Sequence, residues 1–406
     1  MSRRWGWALA LLLPVLCAAA FRRALPASMA AGENTDFATF YSPVAHRILA
    51  GDGITTESGA VAMRYPPGYP ILLAAAVGAG GAIGLSDARS MDMLTLLCIG
   101  LSSLLLYLVA RDLFSGWLAL APSLAYATYP LGLWLTRQPS SEVPFTTLLF
   151  ACAWLAWRLT RGERPHWALA AVLGALAGAA MLVRPIGVFM PLVLAALVLL
   201  LAAKWPARTR ALAAAAIVAA SALVIAPWEV HVSRAAGRFV LLSDGGVPSM
   251  RDGLTFAVNA SKGRAPIWVP DGVRTVMISF LAQYDQLDSY GAIARAGAKE
   301  FAAHPGGMIG LAALKLARAW YGTDSQRLDR YILLLQLFYI AALAWAMRMA
   351  WRAGGERRRL AIIAGAFLLY FWGMSVLALP LVRYMVPAIG LAFLVLPAAV
   401  ERHRLA

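Results

Sequence analysis

The chain has 406 residues, of which 61% are hydrophobic and only 14% charged. A soluble domain carries roughly 25% charged residues, so a water-soluble globular enzyme is excluded. The net charge of +16 does not mark a nucleic-acid binder either, because the basic residues punctuate apolar runs, as membrane orientation signals do.

In chain order, apolar segments fall at about 5–21, 69–85, 91–110, 116–134, 142–159, 166–183, 185–203, 209–228, 331–350, 358–379 and 384–400. A helix crossing a ~30 Å hydrocarbon core needs about 20 such residues. The expected fold is an all-α polytopic membrane protein with about ten transmembrane helices and juxtamembrane helices at the outer face. Arg3 and Arg4, an apolar run and Cys17-Ala-Ala-Ala20 fit a cleaved leader or an uncleaved first span. The uncleaved span is expected, because a membrane protein follows it. Cys17, Cys98 and Cys152 each sit inside an apolar run, which suits packed membrane cysteines rather than a disulfide or metal framework.

Basic clusters set the expected topology. They are Arg158, Arg161 and Arg164; Lys204, Arg208 and Arg210; Arg348, Arg352, Arg357, Arg358 and Arg359; and the ends, Arg3 with Arg4 and Arg402 with Arg404. All belong on the cytoplasmic side. They share a side only if 69–85 does not cross. Gly78, Gly80, Gly81 and Gly84 make that segment a poor isolated helix. Both termini are therefore expected in the cytoplasm, with 22–90 and 229–330 outside. The expected membrane is a bacterial inner membrane, in keeping with the chain's abundance of arginine over lysine and of alanine.

Three regions follow. Residues 1–230 form an N-terminal membrane module with a first outer loop at 22–90. Residues 231–330 form an outer loop region, and 331–406 a C-terminal three-helix membrane region. Within 231–330, Gly245-Gly246, Pro248, Pro266 and Pro270 read as loop punctuation. Two helices are expected at about 288–303 and 306–321. The second, with Lys315 and Arg318 among leucines, suits a helix lying in the outer interface. Gly174 and Gly178 form a small-residue pair suited to close helix packing.

The chemistry-bearing residues cluster after the first span. Asp36 is followed by Phe37, Phe40 and Tyr41, aromatics that partition to the membrane surface. A carboxylate there can accept a proton; Glu33 is the neighbouring alternative, and a solvated loop acid the ordinary account. Arg64 precedes Tyr65-Pro66-Pro67-Gly68-Tyr69-Pro70. An arginine at headgroup depth can bind a phosphate or simply snorkel. Glu142 opens a span after Ser140-Ser141, where helix capping is the ordinary account and a second pocket acid the functional one. Arg184-Pro185 divides two spans, and Arg383-Tyr384 lies in the last outer connection. The histidines His46, His166, His231, His304 and His403 show no ligand spacing. A Walker loop, a nucleophile elbow and an Asp-x-Asp motif around Asp36 are all absent.

Together these residues resemble the GT-C glycosyltransferases, multi-span enzymes that use polyprenyl-phosphate sugars. The likeness is to the branch of protein O-mannosyltransferases and lipid A aminoarabinose transferases. It rests on Asp36 with Tyr41, Arg64 before Pro66-Pro67, Glu142, and Arg184-Pro185. It covers about residues 1–230, and beyond them leans on His304-Pro305 and Arg383-Tyr384. This sequence departs in having a lone Asp36 where the family often has an Asp-Glu pair, and in lacking a large C-terminal outer domain.

The resemblance implies sugar transfer from a polyprenyl-phosphate-linked donor to an acceptor hydroxyl on a glycan, lipid or protein. Asp36 would be the general base and Glu142 would orient it or the acceptor. Arg64, Arg383 and Arg184 would hold the donor phosphate, and Tyr41, Tyr65, Tyr69 and Tyr384 would line the substrate pocket. No cofactor and no metal-binding residue is implied, and transfer is expected to be metal-independent. A transporter or flippase of a lipid-linked substrate is the alternative, with a non-catalytic scaffold behind it.

Overall fold

The computed structural model describes residues 3–26, 29 and 36–401. Glu33, Arg402, His403 and Arg404 lie outside the described residues. Among those described, the structure is helical, with one isolated antiparallel bridge between Thr55 and Val61. The chain divides into two compact units. One comprises Met1–Ser243, Leu343–Phe367 and Pro387–Ala406, the other Asp244–Ala342 and Leu368–Val386.

The first unit begins with α1 (Arg3–Ala24). A π-helical turn, Phe37–Tyr41, leads into α2 (Ser42–Ala50). Then come α3 (Gly68–Gly81), α4 (Asp87–Ala110), α5 (Trp117–Thr128) and α6 (Pro130–Leu135). They are followed by α7 (Glu142–Arg161), α8 (Trp167–Val183), α9 (Met190–Leu201) and α10 (Ala207–Ala236). The α4 helix is central: α1, α3, α5 and α7 all pack on it.

The α8 and α10 helices pack along their length, and the small-residue pair explains how. A Cβ on Gly174 would collide with the Ile217 carbonyl, and one on Gly178 would lie 2.8 Å from the Ser221 carbonyl oxygen. The hydroxyl of Ser221 donates to the Gly174 carbonyl at 2.8 Å. Such close backbone approach is the usual gain from small residues between membrane helices.

Among the described residues, seven helical segments are long and apolar enough to cross a membrane: Trp5–Ala24, Asp87–Ala110, Glu142–Arg161, Ala207–Ala236, Asp329–Ala353, Gly355–Leu377 and Val382–Glu401. Gly68–Gly81, Trp167–Val183 and Pro185–Leu201 are apolar but shorter. At 1.5 Å per residue, α3 reaches only ~21 Å, less than the hydrocarbon thickness. The segment expected at 116–134 is broken, because Pro130 lacks an N–H and holds Tyr129 extended (φ −69°, ψ 112°).

Basic residues gather at the C-terminal end of α7. Arg161 lies 2.9 Å from Asp112 and 3.0 Å from Glu356, and Arg357 lies 2.5 Å from Glu401. Arg359 donates to the Thr160 carbonyl. The connections around 161 and 356 therefore share one end of this unit. Glu142 is the first residue of the same helix, ~30 Å away along its axis.

The second unit contains α11 (Gly246–Thr255), α12 (Asp271–Ala282), α13 (Tyr290–Ala303) and α14 (Pro305–Arg318). Its core joins Phe256, Val273, Val276, Met277, Phe280 and Leu311. Two expectations are corrected here. The stretch read as loops holds α11 and α12, and α10 runs on to Ala236. Pro248 sits in the first turn of α11 and Pro270 immediately before α12, where a missing N–H costs nothing.

The basic residues of α14 also face inward. Lys315 is 2% exposed and Arg318 1%, while Ile309 on the same helix is 61% exposed. Arg318 is satisfied there. It bonds Asp329 Oδ2 at 2.9 Å, the Pro380 carbonyl at 3.0 Å and the Thr323 carbonyl at 2.9 Å, and stacks on Phe256 at 4.9 Å.

The last helices are α15 (Asp329–Ala353), α16 (Gly355–Leu377), α17 (Val382–Ala392) and α18 (Leu396–Glu401). The residues of α15, α16 and α17 are divided between the two units.

Candidate active site

Asp36 stands immediately before the π-helical turn. The turn buries Phe40 and Tyr41, each 6% exposed. Tyr65 closes over them from the next loop. Its ring centroid lies 5.2 Å from that of Phe40 and 5.0 Å from that of Tyr41, and Tyr69 lies 4.9 Å from Tyr41 on another side. Edge-to-face and tilted aromatic contacts of this kind fix side chains at little entropic cost.

The phenol of Tyr65 donates to Asp36 Oδ1 at 2.8 Å. Arg64 Nη2 approaches the same oxygen at 3.4 Å. Among the described residues, both contacts fall on Oδ1 and Oδ2 accepts none. The Asp36 side chain is 32% exposed and that of Arg64 58%, so both remain reachable from outside the protein. The arginine also lies 5.3 Å from the Tyr65 ring.

The Pro66-Pro67 turn feeds directly into α3. Gly68 opens that helix against the backbone of α8: a Cβ there would lie 2.7 Å from the Leu182 carbonyl oxygen and 2.9 Å from the Val183 nitrogen. Two residues on is Arg184, held extended (φ −145°, ψ 125°) before the Pro185–Gly187 turn. Its Nη1 donates to Glu142 Oε2 at 2.7 Å and to Ser141 Oγ at 2.7 Å. The side chains are 14% and 8% exposed.

The capping account of Glu142 is replaced by this pairing. Ser141 precedes α7 but makes no side-chain cap bond, and Ser140 donates to the Leu135 carbonyl at 3.1 Å. Ser141 instead bonds Arg184 and the phenol of Tyr41, whose pKa burial pushes up, so the phenol keeps its proton. A continuous path results: Asp36 to Tyr65 by hydrogen bond, Tyr65 to Tyr41 by ring contact, and Tyr41 through Ser141 to Arg184 and Glu142.

Asp36, Tyr41, Arg64, Tyr65, Tyr69, Glu142 and Arg184 thus come together in the first unit. Arg383 and Tyr384 belong to the second. There Arg383 Nη1 lies 3.5 Å from Asp324 Oδ2, and Tyr384 packs on the unit's apolar core. The roles of Ser141 and Gly68 were missed in the sequence. The available signals were a serine directly before Glu142 and a glycine directly after two prolines.

Residues 68–231 match the family model described as dolichyl-phosphate-mannose-protein mannosyltransferase. Among solved structures, the archaeal oligosaccharyltransferase AglB from Archaeoglobus fulgidus, in complex with an inhibitory peptide and a dolichol-phosphate, matches 99% of this chain and 51% of its own. The TM-score is 0.58 at 14% identity. The apo form of the Archaeoglobus fulgidus oligosaccharyltransferase matches 100% of this chain and 51% of its own, with a TM-score of 0.57 and 15% identity. ArnT from Cupriavidus metallidurans, bound to undecaprenyl phosphate, aligns with a TM-score of 0.45 at 14% identity, covering 99% of this chain and 78% of its own. No curated protein sequence gives a significant match. The chain therefore shares the fold of the oligosaccharyltransferase structures, and its segment 68–231 is similar to the mannosyltransferase family. The chain spans about half the length of the oligosaccharyltransferase structures it matches.

Proposed function

We propose that this protein is a membrane glycosyltransferase that moves a sugar from a polyprenyl-phosphate donor to an acceptor hydroxyl at the outer face, with Asp36 as general base. The observation that carries this reading is the asymmetry of the Asp36 carboxylate. Tyr65 and Arg64 hold Oδ1, while Oδ2 is left to take a proton. The family match and the dolichol-phosphate bound to AglB support the choice of donor.

In the proposed step, Oδ2 draws the proton from the acceptor hydroxyl as its oxygen attacks the anomeric carbon. The bond from that carbon to the phosphate oxygen breaks, and the polyprenyl phosphate leaves with the electron pair. Attack opposite the leaving group inverts the anomeric centre. Arg64, exposed and only loosely paired, turns to the phosphate and stabilises the charge that develops there. The Glu142–Arg184 pair acts as a positioning unit, fixing Tyr41 and through it the tyrosine wall beside Asp36.

The same geometry supports the proposed membrane sidedness. The Asp36 group lies at the start of α7 and the arginine-rich connections at its end, so basic residues on the cytoplasmic side put the site outside. Purified protein in detergent should transfer sugar from a polyprenyl-phosphate donor. A transporter would show no such reaction and would act only in sealed vesicles.

A further inference from the structure

The second unit carries a concentration of cations that the proposed transfer does not use. Arg251 and Asp252 lie side by side on α11. The chain then makes a short 3₁₀ turn, Ala260–Lys262, whose N-cap Asn259 accepts from the Ser261 amide at 3.2 Å. Gly263 follows with φ +63°, a conformation that suits glycine. The reversal returns both flanking residues to one carboxylate. Lys262 Nζ lies 3.6 Å from Asp252 Oδ1, and Arg264 Nη2 lies 3.3 Å from Asp252 Oδ2. Tyr284, just beyond α12, donates to Asp252 Oδ1 at 2.5 Å. Burial and the Asp252 hydrogen bond raise its pKa, so the phenol stays a donor.

Arg251 lies over the opposite part of this platform. Its guanidinium is 4.0 Å from the Tyr284 ring, and Nη1 donates to the Tyr284 carbonyl at 3.3 Å. Two cations thus flank one carboxylate whose oxygens are already engaged, and a third lies over the tyrosine that donates to it. The local charge is +2, from three positive groups and one negative. Among the described residues, Arg251 Nε and Arg264 Nη1 are buried without a hydrogen-bond partner. A buried guanidinium nitrogen left unpaired costs free energy that a ligand oxygen would recover. The Arg264 side chain is 11% exposed and that of Lys262 38%, so the cluster opens to the surface on the lysine side.

We infer that Arg251, Lys262 and Arg264, braced by Asp252 and Tyr284, form a binding site for a phosphate group of an anionic ligand. A phosphate monoester carries about −1.5 to −2 charge at pH 7 and so matches the surplus. Its three terminal oxygens suit an arginine nitrogen on each flank and a flexible ammonium at the mouth. Its residues all belong to the second unit, and the proposed transfer uses none of them. The phosphate could belong to a lipid headgroup or be free in solution.

Equilibrium dialysis of the full chain in detergent with radiolabelled inorganic phosphate tests this. We expect saturable binding that Lys262→Gln/Arg264→Gln weakens about tenfold or more, while Arg274→Gln, at an exposed arginine of α12 outside the cluster, leaves it unchanged. Lys262→Gln alone removes a surface group; it keeps the melting temperature and still weakens binding. A prenyl phosphate that competes far better than inorganic phosphate identifies a lipid headgroup as the ligand; equal competition identifies free phosphate. Binding that survives the double substitution, or that falls as much with Arg274→Gln as with Lys262→Gln, overturns the assignment.

Discussion

Arg184 Nη1 lies 2.7 Å from Glu142 Oε2 in surroundings that leave the side chains only 14% and 8% exposed. Removing one partner of such a pair leaves the other charge buried and uncompensated, at a cost of ~3–5 kcal/mol. Arg184→Leu is therefore expected to lower the melting temperature in detergent sharply. Adding Glu142→Gln should recover part of the loss, because the stranded charge is then gone. A single variant that melts with the wild type would mean that water reaches the pair.

Asp36→Asn should reduce sugar transfer by ~100- to 10,000-fold, the usual contribution of a general base. The amide oxygen still accepts from Tyr65, so the melting temperature should stay near that of the wild type. Single-turnover transfer measured beside a thermal melt separates chemistry from folding. Near-normal transfer would take the base role away from Asp36.

Arg64→Ala should weaken donor binding by about tenfold, the scale of one charge-assisted contact. Arg64→Lys should restore part of it, since charge returns without the planar fork. Donor affinity measured with a non-transferable polyprenyl phosphate checks this. An unchanged affinity would leave Arg64 only its contact with Asp36.

Lys315 gives a pH dependence. Burial lowers its pKa from 10.5 to about 7. Between those values the unfolded chain holds a proton that the folded protein does not, so stability rises with pH across the window. Below about pH 7 the folded protein carries the charge and the destabilisation is complete. Lys315→Met should raise the melting temperature, more at pH 7 than at pH 9.5, and flatten the profile between them. A parallel shift at all pH values would contradict the buried-ammonium assignment.

The membrane class and the order of its helices were legible because a bilayer imposes a length and a polarity on every span. Asp36, Arg64, Glu142 and Arg184 could also be found, since polar residues flanking apolar runs stand out. Their partners could not. Whether Arg184 meets a phosphate or Glu142 depends on how α7 and α8 begin and end in space, and no residue spacing encodes that. The prolines at 248 and 270 misled for a related reason: the same residue ends one element or starts the next. Arg318 faces inward because Asp329, the Thr323 carbonyl and the Pro380 carbonyl, the last 62 residues away in sequence, receive it.

The contact between Gly68 and the α8 backbone has an engineering consequence. Two segments of the site, Arg64–Tyr69 and Leu182–Arg184, meet main chain against main chain where Gly68 faces Leu182 and Val183. Trimming side chains cannot bring them closer, and enlarging Gly68 would pry them apart. Under the proposed function, remodelling substrate preference is best aimed at the aromatic wall around Tyr65, leaving this seam as a fixed datum. A library that varies the wall and keeps the seam should change which substrates fit while the ion pair behind it stays assembled.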